Sequence, residues 1–357
     1  MEELAMNAWC RWSDLFGNGN GPVACSCWVA FLIVAVAAPL AAADDDPLEP
    51  FGSKAAQAEK KLAAAGVRLE KRPIFANVTI HDLQDCDPKV IDWASAWVAH
   101  PFHALGSVSI HSSSFRGLSV EEAAARLVKG NPLSLSLAGT DCGEDIWSAI
   151  SGAPSLEYLN LSGTDVTGER MWQAHGLPRL RRLVLDNTRL DRTAYPALAA
   201  CFPDLEELSL KGSTITDQDF PFLTKLNRLR TLDLSHTAIT TAGLGAIPSQ
   251  DSPWTRTWNL ETLCLRDTEV GNEGLGASGP LVRLPRLDTL DLTRTKVDAE
   301  GLREIAELIK YRYYPSLHTV IVEETQVDEK TRQVVEEAVR KEALRETFRV
   351  YVVPKGR

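Results

Sequence analysis

The stretch LRTLDLSHTAITTAGL, residues 229–244, holds one unit of a pattern that runs through most of the chain. Leu232 and Leu234 flank Asp233, an alternation that turns both leucines to one face of a strand and the aspartate to the other. Thr237 ends the strand and Ile239 turns back toward the core. Thr240 then offers a side-chain oxygen to the orphan amides of a short helix.

The same spacing recurs in LEYLNLSGTDV from Leu156, LRRLVLDNTRL from Leu180, LEELSLKGSTI from Leu205, LETLCLRDTEV from Leu260, LDTLDLTRTKV from Leu287 and LHTVIVEETQV from Leu317. PLSLSLAGTDC from Pro132 and LGSVSIHSSSF from Leu105 fit with substitutions, and FANVTIHDLQD from Phe75 fits in its first half. The common form is LxxLxLxxTx followed by Val, Ile or Leu. Strands separated by some 20 residues must run parallel, because a hairpin connection is far shorter. The pattern therefore predicts an α/β solenoid, a horseshoe with a parallel concave sheet and short convex helices sharing one continuous core. Helices are expected in SVEEAAARLV from Ser119, with a Ser119/Glu122 capping box, in TAYPALAACF from Thr193 and in GLREIAELIK from Gly301. Thr167, Asp191, Thr216, Thr240, Asp298 and Asp328 are N-cap candidates. The Thr or Ser that recurs at 140, 164, 188, 213, 237, 268, 295 and 325 is expected to satisfy backbone groups of its own or the neighbouring loop.

The array needs caps. Residues 54–74 are expected to supply an N-terminal helical cap, with a helix over 54–70, and residues 328–357 a closing helix and strand around an array at 75–327. Ahead of these lies an acidic linker at 44–53. Residues 25–43, CSCWVAFLIVAVAAPLAAA, form an apolar run ending in small residues, so residues 1–43 read as a signal peptide cleaved after Ala43 or as a membrane anchor. Export to the periplasm, envelope or exterior follows, with membrane contact only if 25–43 stays attached. Four cysteines lie beyond the leader, Cys86, Cys142, Cys201 and Cys264. They fall in different repeats, which predicts free and mostly buried thiols.

Charge narrows the partners. The 38 Lys and Arg against 48 Asp and Glu leave a formal charge of -10, and no basic run exceeds two residues, so nucleic acid is a poor partner. Chemistry is sparse. His100 and His103 form the closest histidine pair with no third ligand at metal spacing. GNEGLGASG, residues 271–279, lacks the Lys-Ser or Lys-Thr of a phosphate loop, and the template itself asks for Gly there, as at Gly243 and Gly301. Ser112 to Ser114 have no nucleophile elbow. No cofactor, metal or catalytic residue is expected.

The outward strand positions form columns whose residues lie about 4.8 Å apart. One column runs Ser136, Asn160, Val184, Ser209, Asp233, Cys264, Asp291 and Ile321. Across three repeats Asp233, His236, Arg266, Asp267, Asp291 and Arg294 share one face, and they are the candidate partner-binding patch. The competing reading pairs these charges with one another as a solvated ladder. Two insertions break the period, QDSPWTRTW at 250–258 and YRYYP at 311–315. Insertions in arrays map to loops on one face, so Trp254 and Trp258 join the candidate contacts, unless they fold back over the convex edge.

The repeats, the Gly-Leu continuations at 239–244 and 297–302, and the helix AEKKLAAAGVRLE before the first strand resemble the exported leucine-rich-repeat proteins of bacteria, of the Thr-ladder, ribonuclease-inhibitor-like type. The resemblance spans roughly residues 54–345 and implies a non-catalytic protein-interaction or ligand-recognition scaffold, with a protein or a glycan as partner. A similar repeat occurs in the substrate-recognition arms of eukaryotic ubiquitin-ligase adaptors. A membrane-anchored structural module of an envelope assembly, or a substrate-recognition subunit of a ubiquitin-ligase-like complex, is the alternative.

Overall fold

A computed structural model describes residues 49–71, 75–81, 86–99, 105–111, 115–174, 177–248, 258–323, 329–343 and 348–353. The chain divides into Met1–Lys54 and Ala55–Arg357, and the repeats lie in the second unit. Residues 1–43, Asp328, His100, His103, Ser112 to Ser114 and Trp254 lie outside the described residues.

Among the described residues twelve strands form one sheet in sequence order, from β1 (Arg68–Lys71) and β2 (Phe75–His81) through β3 (Leu105–His111), β4 (Ser134–Ser136), β5 (Tyr158–Asn160), β6 (Arg182–Val184), β7 (Glu207–Ser209) and β8 (Thr231–Asp233) to β9 (Thr262–Cys264), β10 (Thr289–Asp291), β11 (Thr319–Glu323) and β12 (Arg349–Val353). From β2 onward every pairing is parallel. The connections carry α1 (Glu49–Ala64), α2 (Lys89–Val98), α3 (Val120–Val128), α4 (Ile146–Ala149), α5 (Ala194–Cys201), α6 (Phe220–Leu223), α7 (Thr241–Leu244), α8 (Ala299–Lys310) and α9 (Glu329–Ala343), with 3-10 turns in the remaining repeats. This is a leucine-rich-repeat solenoid, an α/β fold in one sheet. Leu159, Leu183, Leu208, Leu232, Leu263 and Leu290 pair rung to rung and are buried. Each contributes about 1.5–3 kcal/mol by leaving water.

The N-terminal cap departs from the sequence reading. A helix was expected over 54–70, but it ends at Ala64 and the chain returns as β1, antiparallel to β2. Gly66 sits at φ +79, its amide donates to Ala63 O at 3.1 Å, and the Val67 amide donates to Leu62 O at 3.0 Å. That is a Schellman stop, which a glycine in the left-handed region makes cheap.

Thr140, Thr164, Thr188, Thr237, Thr268 and Thr295 each donate Oγ1 to the carbonyl three residues earlier in their own repeat, at 2.5–2.7 Å. Ser213, one methyl shorter, is buried with no partner for Oγ.

The helix starts are tied between repeats. Glu144 accepts amides from Thr167, Gly168 and Arg170 of the next repeat. Asp217 accepts the Thr240 amide at 2.8 Å, and Asn272 accepts the Asp298 amide at 3.1 Å. This explains the template glycines, since a Cβ at Gly243 would strike the Asp217 carboxylate and one at Gly301 the Asn272 carboxamide. Of the N-cap candidates, Thr240 caps α7 through Ala242 N and Asp298 caps α8 through Glu300 N and Gly301 N. Ser119 and Glu122 complete their capping box. Thr167 and Thr216 are donors instead, to Glu144 and Asp219, and Asp191 accepts the amides of Thr193 and Ala194.

Candidate functional site

The strands present their outward residues in register. Ser209 faces Asp233, Asp233 faces Cys264, Cys264 faces Asp291, and Asp291 faces Ile321. Asp233 Oδ1 accepts the Ser235 amide at 2.8 Å and Asp291 Oδ1 accepts the Thr293 amide at 2.9 Å. These bonds close the turn after each strand and fix both carboxylates. Asn160 does the same for Ser162 at 2.9 Å.

The next turn holds the remaining members of the patch. Gly139, Gly163 and Gly212 precede the ladder Thr or Ser in their repeats, with φ between +64 and +68, and Asn187 stands there at φ +54. The three following repeats place His236, Asp267 and Arg294 in the same left-handed conformation, at φ +58, +56 and +54. A residue with a Cβ costs about 1–2 kcal/mol in that region, Asn and Asp less than the others.

Their side chains converge. Arg294 Nη2 lies 2.5 Å from Asp267 Oδ2, His236 Nδ1 lies 3.3 Å from the same oxygen and Arg266 Nε lies 3.7 Å from it. The bond to Asp267 raises the Arg294 pKa above its ordinary value, with Glu323 adding a smaller push. The structure thus brings His236, Arg266, Asp267 and Arg294 together around one carboxylate oxygen, while Asp233 and Asp291 stand apart on either side of Cys264. All four side chains of the cluster stay between 25% and 42% exposed, where ion pairs add little to stability.

Trp258 is not part of this surface. It is buried, its ring meets Phe220 edge-on at 5.9 Å, and its Nε1 donates to Leu226 O at 3.1 Å. The physical reason is that the indole finds both an apolar neighbour, Phe220, and a carbonyl for its Nε1, Leu226 O, inside the core. Tyr314 of the second insertion is buried likewise and donates its hydroxyl to Leu275 O at 2.6 Å, whereas Tyr311 and Tyr313 are exposed. Tyr314 occupies the position three before the first Leu, where other repeats have Leu177, Phe202, Leu226 and Leu284. That periodicity was the available signal for its burial.

Sequence reasoning also passed over the position before each strand. Arg181 pairs with Glu206, Arg230 lies 3.5 Å from Glu261, and Asp288 lies 2.7 Å from His318 Nδ1. A cavity of 390 Å³ opens there, lined by Glu261, Thr262, Arg286, Asp288, Ser316 and His318.

Burial, then Asp233 and Asp291, push the Cys264 thiol up to about 12, so it is neutral at ordinary pH and a poor nucleophile. Cys86, Cys142, Cys201 and Cys264 are free thiols. Among the described residues no group of three or more His, Cys, Asp or Glu gathers as metal ligands, and no helix is long and apolar enough to cross a membrane.

Comparison with known proteins agrees with the repeat. A family model described as Leucine Rich repeat matches residues 224–247. An internalin C2 from Listeria monocytogenes is 19% identical, with a TM-score of 0.42, over 65% of this chain and 84% of its own. Another internalin from the same organism is 12% identical, with a TM-score of 0.44, over 78% of this chain and 82% of its own. No curated protein matches the chain.

Proposed function

We propose that this chain is an exported, non-catalytic scaffold that holds a partner protein on the concave face of its repeats, through Asp233, His236, Arg266, Asp267, Asp291 and Arg294. The observation that carries this reading is the left-handed turn. Four repeats fill it with Gly or Asn, whereas three consecutive repeats keep His236, Asp267 and Arg294 there. Half-exposed ion pairs return less than the backbone conformation costs. Strain retained where glycine was available is characteristic of positions kept for recognition. The two carboxylates fixed by Ser235 N and Thr293 N add directed acceptors beside the cluster.

The test is comparative capture from extracts of the source cells. Wild-type protein, the double variant Asp233→Ala with Arg266→Ala, and the helix-face control Glu304→Ala are immobilised side by side. Retention of one protein by wild type and control, with loss in the double variant, is expected. Equal retention by all three overturns the assignment of the patch. N-terminal sequencing of the mature chain is expected to begin at Asp44, and a mature chain beginning at Met1 overturns cleavage.

A further inference from the structure

The sheet changes character along its length. In the rungs that β3, β4 and β5 share, the outward positions are Ser107, Ser109, Ser134, Ser136, Tyr158 and Asn160, in register as Ser107–Ser134–Tyr158 and Ser109–Ser136–Asn160. None carries a charge or an aliphatic side chain, and charge begins on the next strand with Arg182.

Two details make this more than a polar surface. Ser136 is 95% buried and its Oγ has no hydrogen-bond partner, although it stands on the outward side between inward Leu135 and Leu137. A buried hydroxyl left unpaired costs free energy that a ligand can recover. Tyr158 stands at the border, with the Arg182 guanidinium over its ring at 5.3 Å from the centroid. That contact comes from the β6 side, and on the β4 side the register partner of Tyr158 is Ser134. Asn160 uses Oδ1 on the amide and hydroxyl of Ser162, at 2.9 and 2.6 Å, which leaves its Nδ2 group as a donor.

We propose that this half of the concave face binds a neutral, extended glycan chain lying across the strands. An uncharged ligand fits best, because the rungs of β3, β4 and β5 carry no charge and the neighbouring guanidinium, Arg182, is already engaged over the Tyr158 ring. It must both donate and accept hydrogen bonds many times, as serine hydroxyls and a carboxamide do. It must also present an apolar face to an aromatic ring, as a pyranose does with its C–H groups. The strands repeat about every 4.8 Å, close to the length of one pyranose in an extended chain, so each strand meets one sugar. The site is separate from the charged patch and does not depend on it.

The test uses the full chain and titrates cellohexaose, xylohexaose, mannohexaose and polygalacturonate by calorimetry. At least one neutral hexasaccharide is expected to bind. Tyr158→Ala and Ser134→Asp are each expected to weaken it tenfold or more, while Asp233→Ala with Arg266→Ala leaves it unchanged. Ser134→Asp removes no side-chain hydrogen bond of the fold, so its loss of binding with an unchanged circular-dichroism melt separates recognition from misfolding. The proposal is overturned by no binding of any neutral hexasaccharide, by binding indifferent to both sheet variants, by loss in the charged-patch variant, or by polygalacturonate binding tighter than every neutral chain.

Discussion

The buried Glu336 carboxylate accepts the backbone amide of Val350 at 2.8 Å, and so closes part of the open edge of the last strand. Arg332 holds the other carboxylate oxygen at 3.1 Å from one turn earlier in α9. An edge strand with free amides is a template for pairing with another chain. At the opposite edge the strand is short and charged, RLEK, whereas β12 reads RVYVV and depends on this helix for cover. Glu336→Ala is expected to destabilise the protein by about 1–3 kcal/mol, the cost of a buried amide without a partner. Denaturant melts check the loss, and light scattering is expected to show concentration-dependent association that wild type lacks.

His236→Gly separates stability from recognition. Glycine adopts φ +58 without a Cβ penalty, and the half-exposed contact to Asp267 contributes little. Thermal stability is therefore expected to hold or to rise by up to about 1 kcal/mol, while partner capture weakens. A clear loss of stability with capture intact contradicts the assignment.

Gly243→Ala is expected to destabilise by about 1–3 kcal/mol, because the added methyl displaces the Asp217 carboxylate from the Thr240 amide. The double variant with Asp217→Ala relieves the clash. Its cost is expected to fall short of the sum of the single variants, as a double-mutant cycle will show.

Cys264 supplies a pH signature. Its folded pKa, about 12, exceeds the ordinary thiol value of 9.0, so folding favours the protonated form. The corresponding stability is fully present below the unfolded value and is lost as pH rises toward the folded one. Alkylation by iodoacetamide is expected to keep accelerating beyond pH 10, and Asp233→Asn with Asp291→Asn to lower the onset. A rate that levels off near pH 9 contradicts the burial of this thiol.

The fold was legible because burial is periodic. Leu232, Leu234 and Ile239 repeat their spacing in every unit, and the Thr ladder marks each strand end. The end of α1 was missed because its apolar spacing continues to Val67 and Leu69, while one residue, Gly66, reverses the chain. The patch was legible as columns, since register follows from the repeat. Its convergence on Asp267 was not, because it arises from the turn dihedral. Trp258 was misread because an insertion suspends the template, and the side the indole takes is then decided by its packing on Phe220 and its bond to Leu226 O.

The ties from Glu144, Asp217 and Asn272 all run one way, from a repeat to its C-terminal neighbour. In these three pairs the earlier unit completes the helix start of the later one. Deleting repeats from the C-terminal side leaves these side-chain acceptors facing water, but it also strips strand-end amides such as Leu234 N and His236 N of their carbonyls in the next repeat, Cys264 O and Arg266 O. Deletion from the N-terminal side strips amides of their acceptors at the start of the next unit. Helix starts are thus completed from the N-terminal side and strand ends from the C-terminal side, so a shortened version exposes unmet amides at whichever end is cut and needs a cap there.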